Sequence, residues 1–414
     1  MDGDDPLRPF REQFYIPYLN GKQAIYFLGN SLGLQPKTTQ DEVMKMMDAW
    51  ANFGVEGFFM GKEPWLDYYK TIAPLLCDIV GAKEPELVTM NHLTVNLHLL
   101  MISFYQPTTT RYKIICEAKA FPSDQYAFQS QVKLHGLEPA DAIIEIQPKP
   151  GSETITTADI IAAIEHHGDT IALVLFSGVN YYTGQAFDIK AITEAAHKAG
   201  ANAGFDLAHA AGNIKLQLHD WKVDFACWCN YKYLNSGPGA IGGAFVHEQH
   251  LQNNNLKRLE GWWGNDVANR FRMANEFTPT STAESWAMST SPMMLLAAHK
   301  SALHIFKAAG FDNIISKGKL LSGYLLFVLD QINTSGEKFS LLTPRSVDEH
   351  GCQVSISINK NAKAVFDALL PKGIFADWRE PNVIRVAPVP LYNSFEEIFT
   401  FAGTLAKILR EQDV

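Results

Sequence analysis

Between residues 85 and 250, short apolar runs alternate along the chain with stretches whose apolar residues follow helical spacing. Consecutive apolar residues are typical of parallel strands buried on both faces, and the amphipathic stretches predict helices that cover a sheet. We therefore predict a doubly wound, mostly parallel α/β sheet. The predicted strands span residues 86–90, 113–117, 143–147, 171–177, 203–206, 224–229 and 241–247. The predicted helices span residues 95–104, 123–134, 158–167 and 189–199.

The pattern changes after Pro292, where two long helical stretches are followed by mixed short elements. This change predicts a large α/β domain at residues 61–292 and a smaller α+β domain at residues 293–414. Residues 1–60 contain one predicted helix, at 38–53, and are expected to pack with the small domain. The predicted C-terminal helices are 293–309, 313–332, 362–370 and 396–410, and the predicted strands are 353–358, 374–377 and 383–386.

Composition narrows the class of protein. The chain has 414 residues, of which 47% are hydrophobic and 19% are charged, as in globular proteins with more than one domain. A net charge of −9 without a Lys/Arg block argues against nucleic acid or an anionic membrane as a partner. The acidic N-terminus does not resemble a signal peptide, and five cysteines in such a chain predict a reducing cytoplasm.

Lys232 is the strongest candidate for chemistry. It stands between two tyrosines, after the apolar run 224–229 and before a turn rich in Gly, Ser and Pro. Burial at a strand end favours the neutral amine of a lysine, which is a nucleophile toward carbonyls. Asp206 ends another apolar run, and the carboxyl ends of neighbouring parallel strands meet at one edge of a sheet. Pyridoxal phosphate requires such a pair: a lysine that forms a Schiff base with its aldehyde, and a carboxylate that faces its pyridine nitrogen. A surface lysine and a helix N-cap are the structural alternatives.

The sequence predicts no metal site. Cys227 and Cys229 would place both thiols on one face of a buried strand, and no second cysteine pair has metal-site spacing. The thirteen histidines include no His-Glu-x-x-His motif.

Several longer blocks carry a resemblance. The most extensive are residues 205–213, Phe-Asp-Leu-Ala-His-Ala-Ala-Gly-Asn, and residues 220–235, which contain Lys232. With the blocks below, in this order over residues 29–394, the chain resembles the kynureninase family, which belongs to the fold-type I aminotransferase superfamily. The other blocks are Gly29-Asn-Ser-Leu-Gly-Leu, His92-Leu-Thr-Val-Asn-Leu, Phe121-Pro-Ser-Asp-Gln-Tyr, Tyr182-Thr-Gly-Gln, Gly261-Trp-Trp-Gly and Ile384-Arg-Val-Ala-Pro.

The resemblance implies a hydrolase that acts on carbon–carbon bonds in ketonic substances and uses pyridoxal 5′-phosphate (PLP). The implied reaction is hydrolysis of the Cβ–Cγ bond of L-kynurenine or its 3-hydroxy derivative, which yields L-alanine and anthranilate or 3-hydroxyanthranilate. The implied setting is tryptophan catabolism or NAD biosynthesis, in a cytoplasmic homodimer with shared active sites.

The resemblance also implies roles for individual residues. Lys232 would hold the cofactor and move the proton at the substrate Cα. Asp206 would pair with the pyridine nitrogen, and Tyr231 would relay protons near the γ-carbonyl. The other implied cofactor contacts within the subunit are Leu93, Thr94, Phe121, Asp124, Ser177 and His209.

Other implied residues concern the substrate and the neighbouring subunit. Arg385 would bind the α-carboxylate through its planar guanidinium, with a structural salt bridge as the alternative. Ser31 and Phe58 would lie near the aromatic ring of the substrate, although Phe58 can also be an ordinary core residue. Trp262 and Thr290 would reach the phosphate from the partner subunit. The family pattern has Asn-Pro-Pro where this chain reads Thr290-Ser-Pro.

Two other functions remain open at the level of sequence. Another fold-type I enzyme, such as a cysteine desulfurase or a β-lyase, would need a cysteine on a mobile loop, whereas the cysteines here lie in predicted strands and helices. A PLP-binding sensor domain would be fused to a DNA-binding segment, and the chain has no spare basic segment.

Overall fold

The computed structural model describes residues 1–412, which form two sheets of three or more strands and the helices around them. The strands are β1 (Tyr18–Leu19), β2 (Lys22–Gln23), β3 (Ile25–Tyr26), β4 (Leu87–Thr89), β5 (Lys113–Glu117), β6 (Ile143–Ile146), β7 (Ile171–Ser177), β8 (Asn202–Asp206), β9 (Phe225–Cys229), β10 (Gly242–Val246), β11 (Phe339–Leu341), β12 (Val354–Ile358), β13 (Ile374–Phe375), β14 (Asp377–Arg379) and β15 (Val383–Val386).

Helices cover both sheets and connect their strands. They are α1 (Thr39–Phe53), α2 (Trp65–Tyr68), α3 (Ala73–Val80), α4 (Leu93–Phe104), α5 (Pro122–Leu134), α6 (Pro139–Ala142), α7 (Thr157–His167), α8 (Ile189–Lys198), α9 (Glu248–Leu251), α10 (Val267–Arg270), α11 (Met293–Ala309), α12 (Phe311–Ile332), α13 (Ala362–Asp367) and α14 (Phe395–Glu411). None of them, in residues 1–412, combines the length and hydropathy of a membrane-spanning helix.

The larger sheet has seven strands in the order β4-β10-β9-β8-β7-β5-β6. Its strands β9, β8, β7, β5 and β6 are parallel, and β10 runs antiparallel to both of its neighbours. The prediction of a doubly wound, mostly parallel α/β sheet is therefore confirmed. Every residue of β9 and every residue of β7 except Ser177 is buried, because helices cover both faces of the sheet.

The second sheet is antiparallel, with the order β11-β12-β15-β14. Apolar side chains of α12 and α14 pack against it and form a second core, which includes Leu325, Ile356 and Phe401. Strand β3 of the N-terminal segment pairs in parallel with β13, which lies in the C-terminal part of the chain.

The N-terminal segment and helix α11 also contribute to the first core. Phe14, Leu34 and Met46 belong to that core, and so do Leu296 and Leu303 of α11. The second core contains Phe27 of the N-terminal segment and otherwise residues from Leu321 of α12 onward. Helix α11 therefore packs with residues of the larger sheet, although it follows residue 292. The predicted domain boundary at residue 292 stays a prediction.

Most predicted elements differ from the observed ones by a few residues at their ends, and two differences bear on the site. Residues 374–377 were expected to form one strand, but they divide between β13 and β14, which belong to different sheets. The helix predicted at residues 95–104 would place Thr94 at the N-cap position, but the structure places His92 there. Helix α4 begins two residues earlier than predicted, at Leu93, and Thr94 lies in its first turn.

Candidate active site

Three neighbouring strands of the larger sheet end at the same edge and place the candidate residues together. Strand β7 ends at Ser177 and β8 ends at Asp206, which are paired in register. Strand β9 ends at Cys229, three residues before Lys232. A cavity of about 240 Å³ opens at this edge, as expected for the carboxyl ends of an open α/β sheet. The predicted residues that line it are Ser31, Leu93, Thr94, Phe121, Asp124, Ser177, Asp206, His209, Tyr231, Lys232 and Arg385.

The amine of Lys232 contacts a buried histidine. Its Nζ lies 3.0 Å from Nε2 of His209. Burial, reinforced by the positive charge of Lys232, holds the pKa of His209 well below its ordinary value. The imidazole is therefore neutral and accepts a hydrogen bond from the lysine through Nε2. The proton then resides on Nδ1, a buried atom without a hydrogen-bond partner in residues 1–412.

Asp206 and Asp124 form a buried pair of carboxyl groups. Burial raises the pKa of Asp206, opposed by the N–H of Ala208, 2.7 Å from Oδ1, and by the charge of Lys232. The pKa of Asp124 is raised well above its usual range by burial and by the charge of Asp206. The pKa of Asp124 is raised more than that of Asp206, so the pair holds its proton on Asp124, which donates a hydrogen bond to Asp206.

Ser177 is held by a second buried acid. Its backbone N–H lies 3.1 Å from the carboxylate of Glu117, at the end of β5, and its hydroxyl donates to the same group. Burial raises the pKa of Glu117 to about 7. The hydroxyl of Ser177 thus already donates its hydrogen to Glu117. The contact of Ser177 with the cofactor stays a prediction.

Two helices begin at the cavity. Leu93 and Thr94 form the first turn of α4, and Ser123 and Asp124 lie in the first turn of α5. The hydroxyls of Thr94 and Ser123 are 2.7 Å apart, which joins the two first turns. Within residues 1–412 no side chain caps the first turn of either helix, so the backbone N–H groups of Leu93 and Thr94 in α4 and of Ser123 in α5 remain available. Pro122 has no N–H, and the N–H of Asp124 donates to the carbonyl oxygen of Phe121. Such helix N-termini bind phosphate groups.

Arg385 lines the cavity from β15 of the second sheet. Its side chain is 1% exposed, forms an ion pair with Asp377 and donates to the carbonyl oxygen of Tyr181. Burial lowers the pKa of Arg385 to about 10, so the guanidinium stays charged at neutral pH. The sequence left two roles open for Arg385, a structural salt bridge and a place in the substrate cavity. The structure shows both the salt bridge and the place in the cavity.

Three predicted residues lie outside this cavity lining. Phe58 packs edge-on against Trp65, with ring centroids 5.3 Å apart, so the geometry of a single chain does not support its predicted contact with the substrate. Trp262 is 43% exposed and packs against Phe271, and Thr290 is half-buried. These last two positions agree with a role at another subunit's cavity, which stays a prediction.

Comparison with known proteins identifies the family. A family model described as "Kynureninase C-terminal domain" matches residues 314–405. The kynureninase of Flavobacterium psychrophilum is 52% identical over 412 residues, which cover 99% of this chain and 97% of that protein. The human kynureninase is 46% identical, and the match covers 99% of this chain and 92% of that protein. The chain belongs to the kynureninase family.

Solved structures of other proteins share the fold of this kynureninase family member. A C-DES variant with glycine covalently linked to its PLP cofactor aligns with a TM-score of 0.78, over 96% of this chain and 98% of that one. A cysteine desulfurase from Thermococcus onnurineus aligns with a TM-score of 0.76, over 94% and 95% of the two chains. The identities are only 17% and 18%, so these comparisons show the fold and nothing of the reaction.

Sequence reasoning missed several cavity residues of this kynureninase family member. Asn30 and Tyr181 stand within or beside blocks that carry the family resemblance, and that position was the available signal. Arg379 had no such signal, because the predicted strand ended at residue 377. The full set of missed lining residues is Asn30, Ser123, Val179, Tyr181, Ala208, Cys229 and Arg379.

Proposed function

We propose that this chain is a PLP-dependent kynureninase that hydrolyses L-kynurenine to anthranilate and L-alanine. The observation that carries the proposal is the position of Lys232 and the Asp206 carboxylate in one cavity, at adjacent strand ends, in a chain of this family. The 3-hydroxy derivative is the second candidate substrate.

The residues present fit PLP. The cofactor has an aldehyde, a pyridine nitrogen and a phosphate, and the cavity offers an amine, a buried carboxylate and two helix N-termini. Two buried atoms that have no hydrogen-bond partner among the described residues, Nδ1 of His209 and Oδ1 of Asp124, also belong to side chains that line this cavity. Lys232 and Asp206 would hold the aldehyde and pyridine ends, and the first turns that contain Thr94 and Ser123 would hold the phosphate.

When bound, PLP would supply an electron-accepting ring that stabilises negative charge at the substrate Cα. Asp206 would keep the ring nitrogen protonated, because a cation beside this buried carboxylate offsets the cost of burying its charge. Lys232 would remove the Cα proton and later return a proton there. The neutral His209 would accept a hydrogen bond from the lysine and orient it.

The hydrolytic step needs a water molecule at the γ-carbonyl and a proton for Cβ after the Cβ–Cγ bond breaks. Burial raises the pKa of Tyr231 above its ordinary value, so its phenol remains protonated at neutral pH. A protonated phenol on the cavity wall is a suitable donor for this step. We therefore assign the proton relay to Tyr231.

Arg385→Lys should raise KM for L-kynurenine by roughly 10- to 100-fold, because an ammonium cannot reproduce the bidentate fork for the α-carboxylate. The affinity for PLP should change little. Steady-state kinetics beside a PLP titration measures both quantities. Equal weakening of both, or of neither, would indicate that Arg385 has only the structural role given by its ion pair with Asp377.

We further propose a homodimer in which Trp262 and Thr290 contact the phosphate in the partner's cavity. This proposal is supported by the exposure of Trp262 and by exposed apolar side chains beside it. Phe59 is 56% exposed and Phe271 is 48% exposed, with ring centroids 6.2 Å apart. Trp262 lies 5.5 Å from Phe271, so the three rings form one apolar surface suited to burial against a second copy.

Mixing two inactive variants tests the shared site. If Lys232→Ala and Trp262→Ala subunits exchange freely, mixed dimers contain one site with both residues intact, and about a quarter of the wild-type activity should return. A control mixture pairs Lys232→Ala with a double variant carrying both changes, and it should recover nothing. A lack of recovery in the first mixture, with subunit exchange verified by mass, contradicts the shared site.

The proposed location is the cytoplasm, and the proposed setting is tryptophan catabolism, with NAD biosynthesis supplied through the 3-hydroxy product. The five cysteines support the location, because all are free thiols in the structure, as in reducing compartments.

The rival desulfurase activity is disfavoured by the position of the cysteines. Cys229 lines the cavity, but it is the last residue of the buried strand β9, and burial raises the pKa of its thiol. Nucleophilic cysteines instead need an accessible thiolate.

The proposed function is tested by incubating the PLP-loaded protein separately with L-kynurenine and with L-cysteine. Kynurenine should yield fluorescent anthranilate and one L-alanine per turnover, and cysteine should yield no sulfide. Sulfur release from cysteine without anthranilate formation would instead support the desulfurase.

A further inference from the structure

Two arginines of the second sheet share one carboxylate at the cavity wall. Asp377 and Arg379 lie on β14, and Arg385 lies on the neighbouring strand β15, opposite Asp377 in register. Oδ2 of Asp377 pairs with Nη2 of Arg385 and lies 3.3 Å from Nη2 of Arg379. Both arginines line the cavity that contains Lys232.

This arrangement leaves one positive charge without a partner. In residues 1–412, Asp377 is the only carboxylate at salt-bridge distance from either guanidinium. Its charge can compensate only one of the two, and Arg385, which is 1% exposed, is the more buried. The side chain of Arg379 is 38% exposed, so it retains its charge at the cavity wall.

The two guanidiniums also differ in the donors that they have left. Arg385 already donates to Tyr181 and to Asp377. Arg379 makes no hydrogen bond within the described residues, where the buried Nε atoms of both arginines are without a partner. Its donors therefore remain available to an anion that enters the cavity.

The charge of Arg379 affects the same histidine that Lys232 contacts. The positive charges of Lys232, Arg385 and Arg379 together reinforce the effect of burial in lowering the pKa of His209. His209 is in hydrogen-bond contact with Lys232, where the amino group of an amino-acid substrate must bind. The α-carboxylate is attached to the carbon that bears this amino group.

We infer that Arg379 is a second substrate-binding residue, which donates to the α-carboxylate together with Arg385, and that Asp377 positions both guanidiniums. This inference rests on the proposed amino-acid substrate. Neutralising the charge of Asp377 does not explain why Arg379 lies at the cavity, because Arg385 already forms an ion pair with Asp377. Asp377 also accepts a hydrogen bond from Ser31, 3.4 Å away, which further restricts its carboxylate.

The test compares an acid with its amide. KM is measured for L-kynurenine, and an inhibition constant is measured for L-kynurenine amide, in which the α-carboxylate is a neutral carboxamide. Arg379→Gln should raise KM by roughly 10- to 100-fold, the loss of one charge-assisted hydrogen bond, with little change in kcat. The inhibition constant of the amide should stay close to that of the wild type. Arg379→Lys should recover part of the loss because it keeps the charge.

Arg345→Gln is the matched control. It removes an exposed arginine that pairs with Asp330 outside the cavity, and it should alter neither constant. The inference is overturned if Arg379→Gln weakens acid and amide equally, as a structural residue would, or changes neither. A wild-type protein without kynurenine turnover overturns the proposed function itself, and that outcome is visible before any variant is made.

Discussion

Lys232→Ala should abolish the turnover of L-kynurenine, with kcat at least 10²–10⁴-fold below the wild type. That range is the contribution of a general base alone, and the variant also loses the amine that exchanges with the substrate amine. The alanine side chain removes the hydrogen bond to His209, but it leaves the folded cavity intact, because Lys232 is only half-buried and joins no ion pair in residues 1–412. Anthranilate fluorescence under saturating substrate measures kcat.

Lys198→Ala provides the control for this substitution, since it removes an exposed lysine that pairs with Glu165 far from the cavity. Its kcat should equal that of the wild type. Kynurenine hydrolysis by Lys232→Ala at a rate near that of the control would contradict the assignment of Lys232.

Asp206→Asn should lower kcat by roughly 10²–10³-fold, the size of the loss when one preorganised electrostatic partner is removed. An amide has no charge to keep the pyridine nitrogen protonated, so the ring loses its capacity to accept electrons. Asparagine has nearly the same shape and can still accept from Ala208. Because burial raises the pKa of Asp206, the neutral amide should not lower the Tm of the cofactor-free protein.

Measured together, kcat and the Tm without cofactor separate an electronic role from a structural one. Asp220→Asn, on the exposed surface, should change neither quantity. A large fall in Tm with little change in kcat for Asp206→Asn would show that the carboxylate serves the fold rather than the cofactor.

The sequence predicted the central sheet closely, because strands buried on both faces consist of continuous apolar residues. Strands β5, β7 and β15 and helix α11 have the predicted bounds. The short strands β1, β2, β3 and β11 were not predicted, since segments of two or three residues show no periodicity. Their existence depends on partners that are distant in the sequence, such as β13 for β3.

The same contrast, between strong apolar runs and short irregular segments, separates the site residues that were predicted from those that were missed. Lys232 and Asp206 were found because each follows a strong apolar run, and parallel topology brings such ends together. Arg379 and Tyr181 were missed because they reach the cavity from a short edge strand and a loop. The hydrogen bonds of Ser177 to Glu117 could not be read from the chain, in which the two residues are 60 positions apart.

Lys232 is assigned as the residue that holds PLP, and chemical labelling tests this assignment most directly. Borohydride converts a cofactor bound to a lysine through its aldehyde into a stable amine, which peptide mass spectrometry then locates. The PLP-loaded protein, reduced and digested, should carry one pyridoxyl phosphate group per chain, on the peptide that contains Lys232. A label on another lysine, or no label on a protein that retains PLP, would contradict the account.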